Sequence, residues 1–305
     1  MRRFGFAQYI PSNLPQRIAR AIELGYIVEG WNIEDYMRDA WDNEGWESMV
    51  FWGPKGGLKS NCMLQLGYIL SKDWEYVKSH FIMDPLDFLQ ATKSPEVRVG
   101  WLGHDDISVH LPKSLYFTNR LLWAALKSNW DAFREKLGNY CSSTPRKSKV
   151  SSHIIDDLTG EMFFGKRVKG GMVMKYDFQR WIWDQDFGDP FREHFYMVRV
   201  ENLWFPAREE DKPTLADIMR RHNKPDGTKY TDSEIEQQCR RWPGVPDDVW
   251  RWYRAKRKEM TEKASERLYT LIQKLVEEKP TKQTATSTEI SKAASQLAKL
   301  SHQRR

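Results

Sequence analysis

The residue types that could do chemistry gather in GPKGGLKSN, residues 53–61. The pattern G-x-x-x-x-G-K-[ST], in which a glycine-rich turn cradles phosphate groups, is met from Gly53 to Ser60 except at Leu58. In such a loop, successive backbone N–H groups and the positive end of the following helix grip the phosphates. Gly53, Gly56 and Gly57 supply the bends, and Pro54, Lys55 and Asn61 complete the segment. Lys59 is placed to reach the outer phosphates and the Ser60 hydroxyl to bind Mg²⁺. Leu58 stands where a glycine normally lets the backbone come close. Either it holds the backbone away from the phosphates, or a helical φ/ψ turns its side chain away and anchors the helix in the core. The second is the expectation here. The competing reading of the segment is a structural turn.

A phosphate loop needs acids nearby. The run VRVGWLGHDD places Asp105 and Asp106 after an apolar stretch, downstream of Ser60. One carboxylate to hold Mg²⁺, often through water, and one to activate the attacking water is what phosphoanhydride hydrolysis asks of a protein. Asp105 is assigned to the metal and Asp106 to the water. Gly103 and His104 interrupt the apolar run just before the acids, which leaves a register one residue away open. A helix cap is the plain alternative for the pair.

The elements that must position these residues follow from periodicity. SMVFW (48–52) favours a strand, the glycine turn follows, and SNCMLQLGYIL (60–70) has helical spacing. Strands are expected at 80–83, 96–103 and 139–144, and helices at 84–93 and 114–138, the latter closed by Gly138. Strands alternating with helices predict an α/β fold with a parallel sheet. Residues 1–46 predict a helical N-terminal segment. From 154 to 205 the pattern predicts a β-hairpin extension with a basic turn, plus a third strand. Residues 206–245 are polar and turn-rich, an insertion or lid. A long helix is expected over 246–279, ended by Pro280, and a basic tail with a short amphipathic helix over 280–305.

On the residues GPKGGLKS and VGWLGHDD the chain resembles P-loop NTPases of the additional-strand (ASCE) division, which includes AAA+ ATPases; the first stretch is similar to their Walker A motif and the second to their Walker B. The resemblance covers roughly residues 46 to 180. It implies a parallel-sheet P-loop core over 47–205, ATP and Mg²⁺ as cofactors, and hydrolysis assisted by Lys59 and Asp106. NYCSST lies where that division carries a polar sensor, which makes Ser142, Ser143 and Thr144 candidates, Ser143 foremost. Arg146 is a candidate for a finger acting on a neighbour's γ-phosphate, with a solvated basic loop as its alternative. KGG also resembles the partition ATPases, but Lys55 to Lys59 is one residue short of their signature.

Bulk properties set the partners. The formal net charge is +6 and the sequence pI about 9.0, a modest lean toward a polyanion. Lys166, Arg167 and Lys169 at the hairpin turn could touch nucleic-acid backbone. Trp181 and Trp183 could stack on bases, with core packing as the alternative. Three dispersed cysteines give no zinc or disulfide pattern, and His104 and His110 are expected to serve local hydrogen bonds. No apolar run suits a membrane span or signal peptide, so a cytoplasmic protein is expected. These features predict a Mg²⁺-dependent ATPase, a homo-oligomer acting on DNA as a motor or loader of a virus, plasmid or transposon. The alternatives are a nucleotide-binding scaffold with little turnover and a nucleotide kinase, for which no acceptor base is evident.

Overall fold

The computed structural model describes residues 28, 31–54, 56, 58–84, 87, 90, 98–110, 120, 121, 124, 128, 130, 132, 133, 135–146, 148, 150, 158–167, 173–182, 196–224 and 227–277, with backbone alone for 109, 110, 164–167, 173–182, 196–203, 264, 267, 268, 271, 272 and 274–277. Residues 1–27 of the expected helical N-terminal segment, the side chains of the basic hairpin, Lys169, Trp183 and the tail 280–305 lie outside what is described. Two compact units divide the chain, Met1–Arg254 and Ala255–Arg305. No described helix is long and apolar enough to cross a membrane.

The first unit is built on strands β1 (Glu47–Trp52), β2 (Phe81–Ile82), β3 (Val99–His104), β4 (Leu137–Thr144), β5 (Gly160–Arg167), β6 (Val173–Ile182) and β7 (Tyr196–Pro206). Their order in the sheet is β2-β3-β4-β1-β5-β6-β7. Neighbours from β2 to β5 are parallel, whereas β5–β6 and β6–β7 are antiparallel. The fold is α/β, as the alternation of elements predicts. β4 separates β1 from β3, so the glycine loop and the two acids rise from strands that are not neighbours. Every residue of β4 is buried, the pattern of a strand covered on both faces.

Helix α1 (Ile33–Asp42) starts at a capping box: Asn32 Oδ1 accepts from the N–H groups of Glu34 and Asp35, and Asp35 Oδ2 accepts from Asn32 N–H. A cap of this kind contributes about 1 kcal/mol. α2 (Lys59–Ser71) follows the glycine loop, and α3 (Trp74–Ser79) leads into β2. Arg38 of α1 donates to the carbonyls of Leu70 and Ile69 at 2.8 and 2.5 Å, satisfying the C-terminal end of α2 and fixing it against α1. A four-residue turn, α4 (Ile107–His110), follows the acids.

Gly138 does not close a helix. It lies inside β4, which begins at Leu137. A Cβ at Gly138 would come within 2.9 Å of the Gly100 carbonyl, so a close approach of two strands, not a helix end, requires the glycine. Gly103 answers to the same need: a Cβ there would meet the rings of Trp101 at 2.7 Å and Phe81 at 2.8 Å. The break in the apolar run before the acids is therefore made by tight aromatic packing.

Beyond β7, α5 (Lys212–Arg221) and α6 (Asp232–Arg241) bury Leu215, Ile218, Met219 and Ile235 together, with Trp204 of β7 packed against them. The last helix, α7 (Asp247–Glu277), begins in the first unit and continues into the second. Within the second unit, i,i+4 pairs Lys263–Glu259 and Lys258–Glu262 line its exposed surface.

Candidate functional site

The loop between β1 and α2 is shaped by its backbone. Gly53 has φ 143° and Gly56 φ 73°, conformations natural to glycine alone. Leu58 has φ 57° and ψ 20°, left-handed, and caps α2 without any side-chain hydrogen bond. The expected helical φ/ψ is corrected here. The slot keeps the conformation a glycine would take, and Leu58 is half-buried, not sunk in the core. A left-handed conformation costs an L-residue about 1–2 kcal/mol. The first helical bond of α2 runs from Cys62 N–H to the Leu58 carbonyl at 3.0 Å. Pro54 and Gly56 are exposed, Gly53 is buried, and Lys55 and Gly57 lie outside the described residues.

Lys59 folds over this loop. Its Nζ donates to the carbonyls of Gly53 at 3.1 Å and Pro54 at 2.9 Å, and the residue is buried. Asn61 points the other way, donating from Nδ2 to the Ala207 carbonyl at 3.0 Å. One turn on, Gln65 donates to the Pro206 carbonyl at 2.6 Å. Both side chains tie α2 to the end of β7, so Asn61 serves the scaffold in this arrangement.

Register brings the acids in. His104 pairs with Ser142 across β3 and β4, while Ser143 lies opposite Phe51 across β4 and β1. The residues just past these points converge at the carboxyl ends of the parallel strands, where open α/β sheets place ligands. Ser60 Oγ donates to Asp105 Oδ1 at 2.8 Å, and Ser143 Oγ donates to the same oxygen at 2.6 Å. Asp106 N–H donates to Ser143 Oγ at 2.8 Å. It is Asp105, not its neighbour, that reaches Ser60. Asp106 has a left-handed backbone, φ 51°, with Ser108 Oγ donating to its Oδ1 at 3.3 Å.

A third hydroxyl reaches Asp105 from far along the chain. Tyr253 of α7 donates to Asp105 Oδ2 at 2.8 Å, and its oxygen lies 3.0 Å from Ser60 Oγ. Nothing in the local sequence marks Tyr253 beyond its place in an apolar helical stripe. Asp105, buried, thus takes its hydrogen bonds from three hydroxyls. Such bonds to a carboxylate are the stronger, charge-assisted kind.

The remaining candidates are placed as follows. His104 is fully buried, its Nδ1 2.9 Å from the Tyr140 hydroxyl, and burial raises that phenol's pKa well above the usual value. Ser142 Oγ donates to the Met49 carbonyl at 3.4 Å. Thr144 Oγ1 accepts from Arg146 N–H at 3.2 Å and shapes the turn after β4, on which Arg146 is exposed. Lys166 and Arg167 end β5 on the far side of the sheet order from β3. The structure brings together the side chains of Ser60, Asp105 and Ser143 and the backbone N–H of Asp106, while Lys59 is held by the loop carbonyls.

The donor set suits a hard cation. Ser60 Oγ and Asp105 Oδ1 are 2.8 Å apart, close to the spacing of about 3 Å that adjacent oxygens take around Mg²⁺ held at about 2.1 Å. Among the described residues no cluster of three or more His, Cys, Asp or Glu side chains could hold a metal by itself. A cation here would therefore need other oxygens beside it, which phosphates and water provide.

No protein-family model matches the chain, and no curated protein matches it by sequence. Among solved structures, the chain is similar to the one described as the crystal structure of the N-terminal domain of zonular occludens toxin from Neisseria meningitidis, at 11% identity and a TM-score of 0.32, over 50% of this chain and 95% of that chain.

Proposed function

We infer that the chain binds ATP together with Mg²⁺ and hydrolyses it. The observation that carries this reading is the bond from Ser60 to Asp105 beside a glycine loop of left-handed backbone. A structural turn has no use for that combination. In this reading the N–H groups of the loop and the first turn of α2 donate to phosphate oxygens. Lys59 exchanges the Gly53 and Pro54 carbonyls for the outer phosphates. Ser60 would hold the Mg²⁺ ion, with Asp105 beside it directly or through water. When bound, the ion neutralises charge on the phosphate oxygens.

Asp106 is assigned to the attacking water. Its carboxylate accepts the water's proton while the water oxygen bonds to the γ-phosphorus and the bond to the bridging oxygen breaks, giving ADP and orthophosphate. Ser143 positions both acids, one through its hydroxyl proton and the other through its oxygen. Purified protein with Mg²⁺ and ATP should bind the nucleotide and release phosphate. Absence of binding at millimolar ATP would overturn the reading. Binding without phosphate release would instead favour a scaffold, for which the side chain of left-handed Leu58 is the supporting observation.

Assembly of several copies, with Arg146 acting on a neighbour's nucleotide, and association with DNA belong to the same proposal. They are supported by the exposed position of Arg146 and by the basic residues of the hairpin sequence. Replacing Lys166, Arg167 and Lys169 with alanine should weaken DNA binding and flatten its salt dependence by about 0.7 to 0.9 in the log–log slope for each lost phosphate contact. A parent-like affinity and slope in a salt titration would make the hairpin structural.

A further inference from the structure

The geometry points to Tyr253 as a resident competitor for the cation position: its phenol oxygen occupies the coordination space between Ser60 and Asp105, and a Mg²⁺·nucleotide complex loads only as the first turns of α7 release it. This rests on the nucleotide reading above. The phenol oxygen lies 2.8 Å from Asp105 Oδ2 and 3.0 Å from Ser60 Oγ, so it touches both residues assigned to the metal side of the site, Asp105 through the carboxylate oxygen that Ser60 does not engage. Ser60 already donates its proton to Asp105 Oδ1, and Tyr253 donates to Oδ2, so the carboxylate's two oxygens are engaged in the positions an ion or its bound water would take. An ion at about 2.1 Å from Ser60 Oγ, with its ordered shell of oxygens, cannot share that space with a phenol.

Tyr253 cannot clear the space by rotating alone. It is 2% exposed, stacked on Trp250 with ring centroids 5.0 Å apart and edge-on to Phe81 at 5.9 Å. Val249, one turn earlier, is fully buried. Withdrawal of the hydroxyl therefore requires displacement of the helix segment that carries it. That segment is tethered at its start, where Val245 N–H donates to the Ala207 carbonyl at 3.1 Å. Ala207 in turn accepts from Asn61 of α2. The start of α7 is thus held to α2 on one side and to the cation position on the other. Occupancy of the site and the placement of residues 247–254 are coupled by this arrangement.

Closed Tyr253 reduces the fraction of molecules competent to take Mg²⁺, and apparent affinity falls by that fraction. Tyr253→Phe keeps the ring between Trp250 and Phe81 but removes both hydroxyl contacts. The test compares binding of a fluorescent, non-hydrolysable ATP analogue to the full chain in EDTA and across a Mg²⁺ titration, for parent and Tyr253→Phe. The Mg²⁺-dependent gain in affinity should be about tenfold larger in the variant, the effect of no longer breaking a hydrogen bond to a charged group. Amide hydrogen exchange in the parent gives a second readout, independent of any substitution. Residues 247–254 should exchange faster once Mg²⁺ and the analogue are bound. An equal or smaller gain in Tyr253→Phe, or unchanged or slower exchange at 247–254, would overturn the competitor role. If the parent binds no analogue with or without Mg²⁺, the nucleotide reading fails and this inference falls with it. Binding with both readouts unmoved sinks the inference alone.

Discussion

The glycine loop and the acidic cluster lie on either side of the start of α2, and they are made differently. The loop is a matter of backbone: Gly53, Gly56 and Leu58 all have positive φ, and Lys59 is held by main-chain carbonyls. The cluster is a matter of side chains: hydroxyls from α2, β4 and α7 converge on one carboxylate that follows β3. A backbone-built loop tolerates a change of side chain wherever the new residue can adopt the same φ. A cluster of hydroxyls around a buried carboxylate is sensitive to single atoms, because each lost partner leaves charge without compensation.

The sharpest way to break this comparison is Asp106→Asn. Asparagine takes the left-handed conformation of Asp106 readily, so the fold should be kept. Phosphate release should fall by about 10² to 10⁴, the range for loss of a general base, while Mg²⁺·ATP binding persists. Unchanged turnover would remove Asp106 from its role. Lys59→Ala should come next, with loss of about 100-fold or more in ATP affinity from its charge-assisted bonds to phosphate. Calorimetric titration checks it, and parent-like affinity would show the loop to be structural.

Leu58→Gly tests the loop's side of the comparison. Relief of left-handed strain, about 1–2 kcal/mol, is set against the entropy cost of glycine, about 0.5–1 kcal/mol. The net expectation is a gain of about 0.5 kcal/mol, read as a small rise in melting temperature. A loss of about 2–5 kcal/mol would instead mark Leu58 as a buried anchor.

The smallest effect lies outside both regions and shows what an exposed side-chain cap contributes. Glu234 accepts from Lys224 and from Thr231 at the start of α6, and these bonds, Lys224 first, pull its pKa from 4.5 to about 2. A depressed folded-state pKa means that the stabilisation is complete above pH 4.5 and is lost as pH falls toward 2. The difference in melting temperature between parent and Glu234→Gln should therefore be small at neutral pH and shrink over that window. A difference that stays constant down to pH 2 would show the carboxylate's charge to be irrelevant.

The sequence by itself determined what is local. Apolar residues at Val50 and Phe51, glycines at 53 and 56, and helical spacing after Ser60 are enough to write strand, loop and helix, because each depends on neighbours a few residues away. The acids after β3 were legible for the same reason. Tertiary structure decided the rest. Whether Asp105 or Asp106 meets Ser60 depends on the register of β3 against β4, which one residue's slip would reverse. Gly138 resembled a helix stop in sequence, yet the strand beside it, carrying Gly100, made it part of β4. The slot at 58 imposed a left-handed backbone on a leucine because the turn into α2 demands it, whatever residue stands there. Tyr253 reaches Asp105 across 148 positions of chain. A periodicity can place such a residue on a buried face, but only the packing of α7 against the sheet could say that its hydroxyl would come to lie between Ser60 and Asp105.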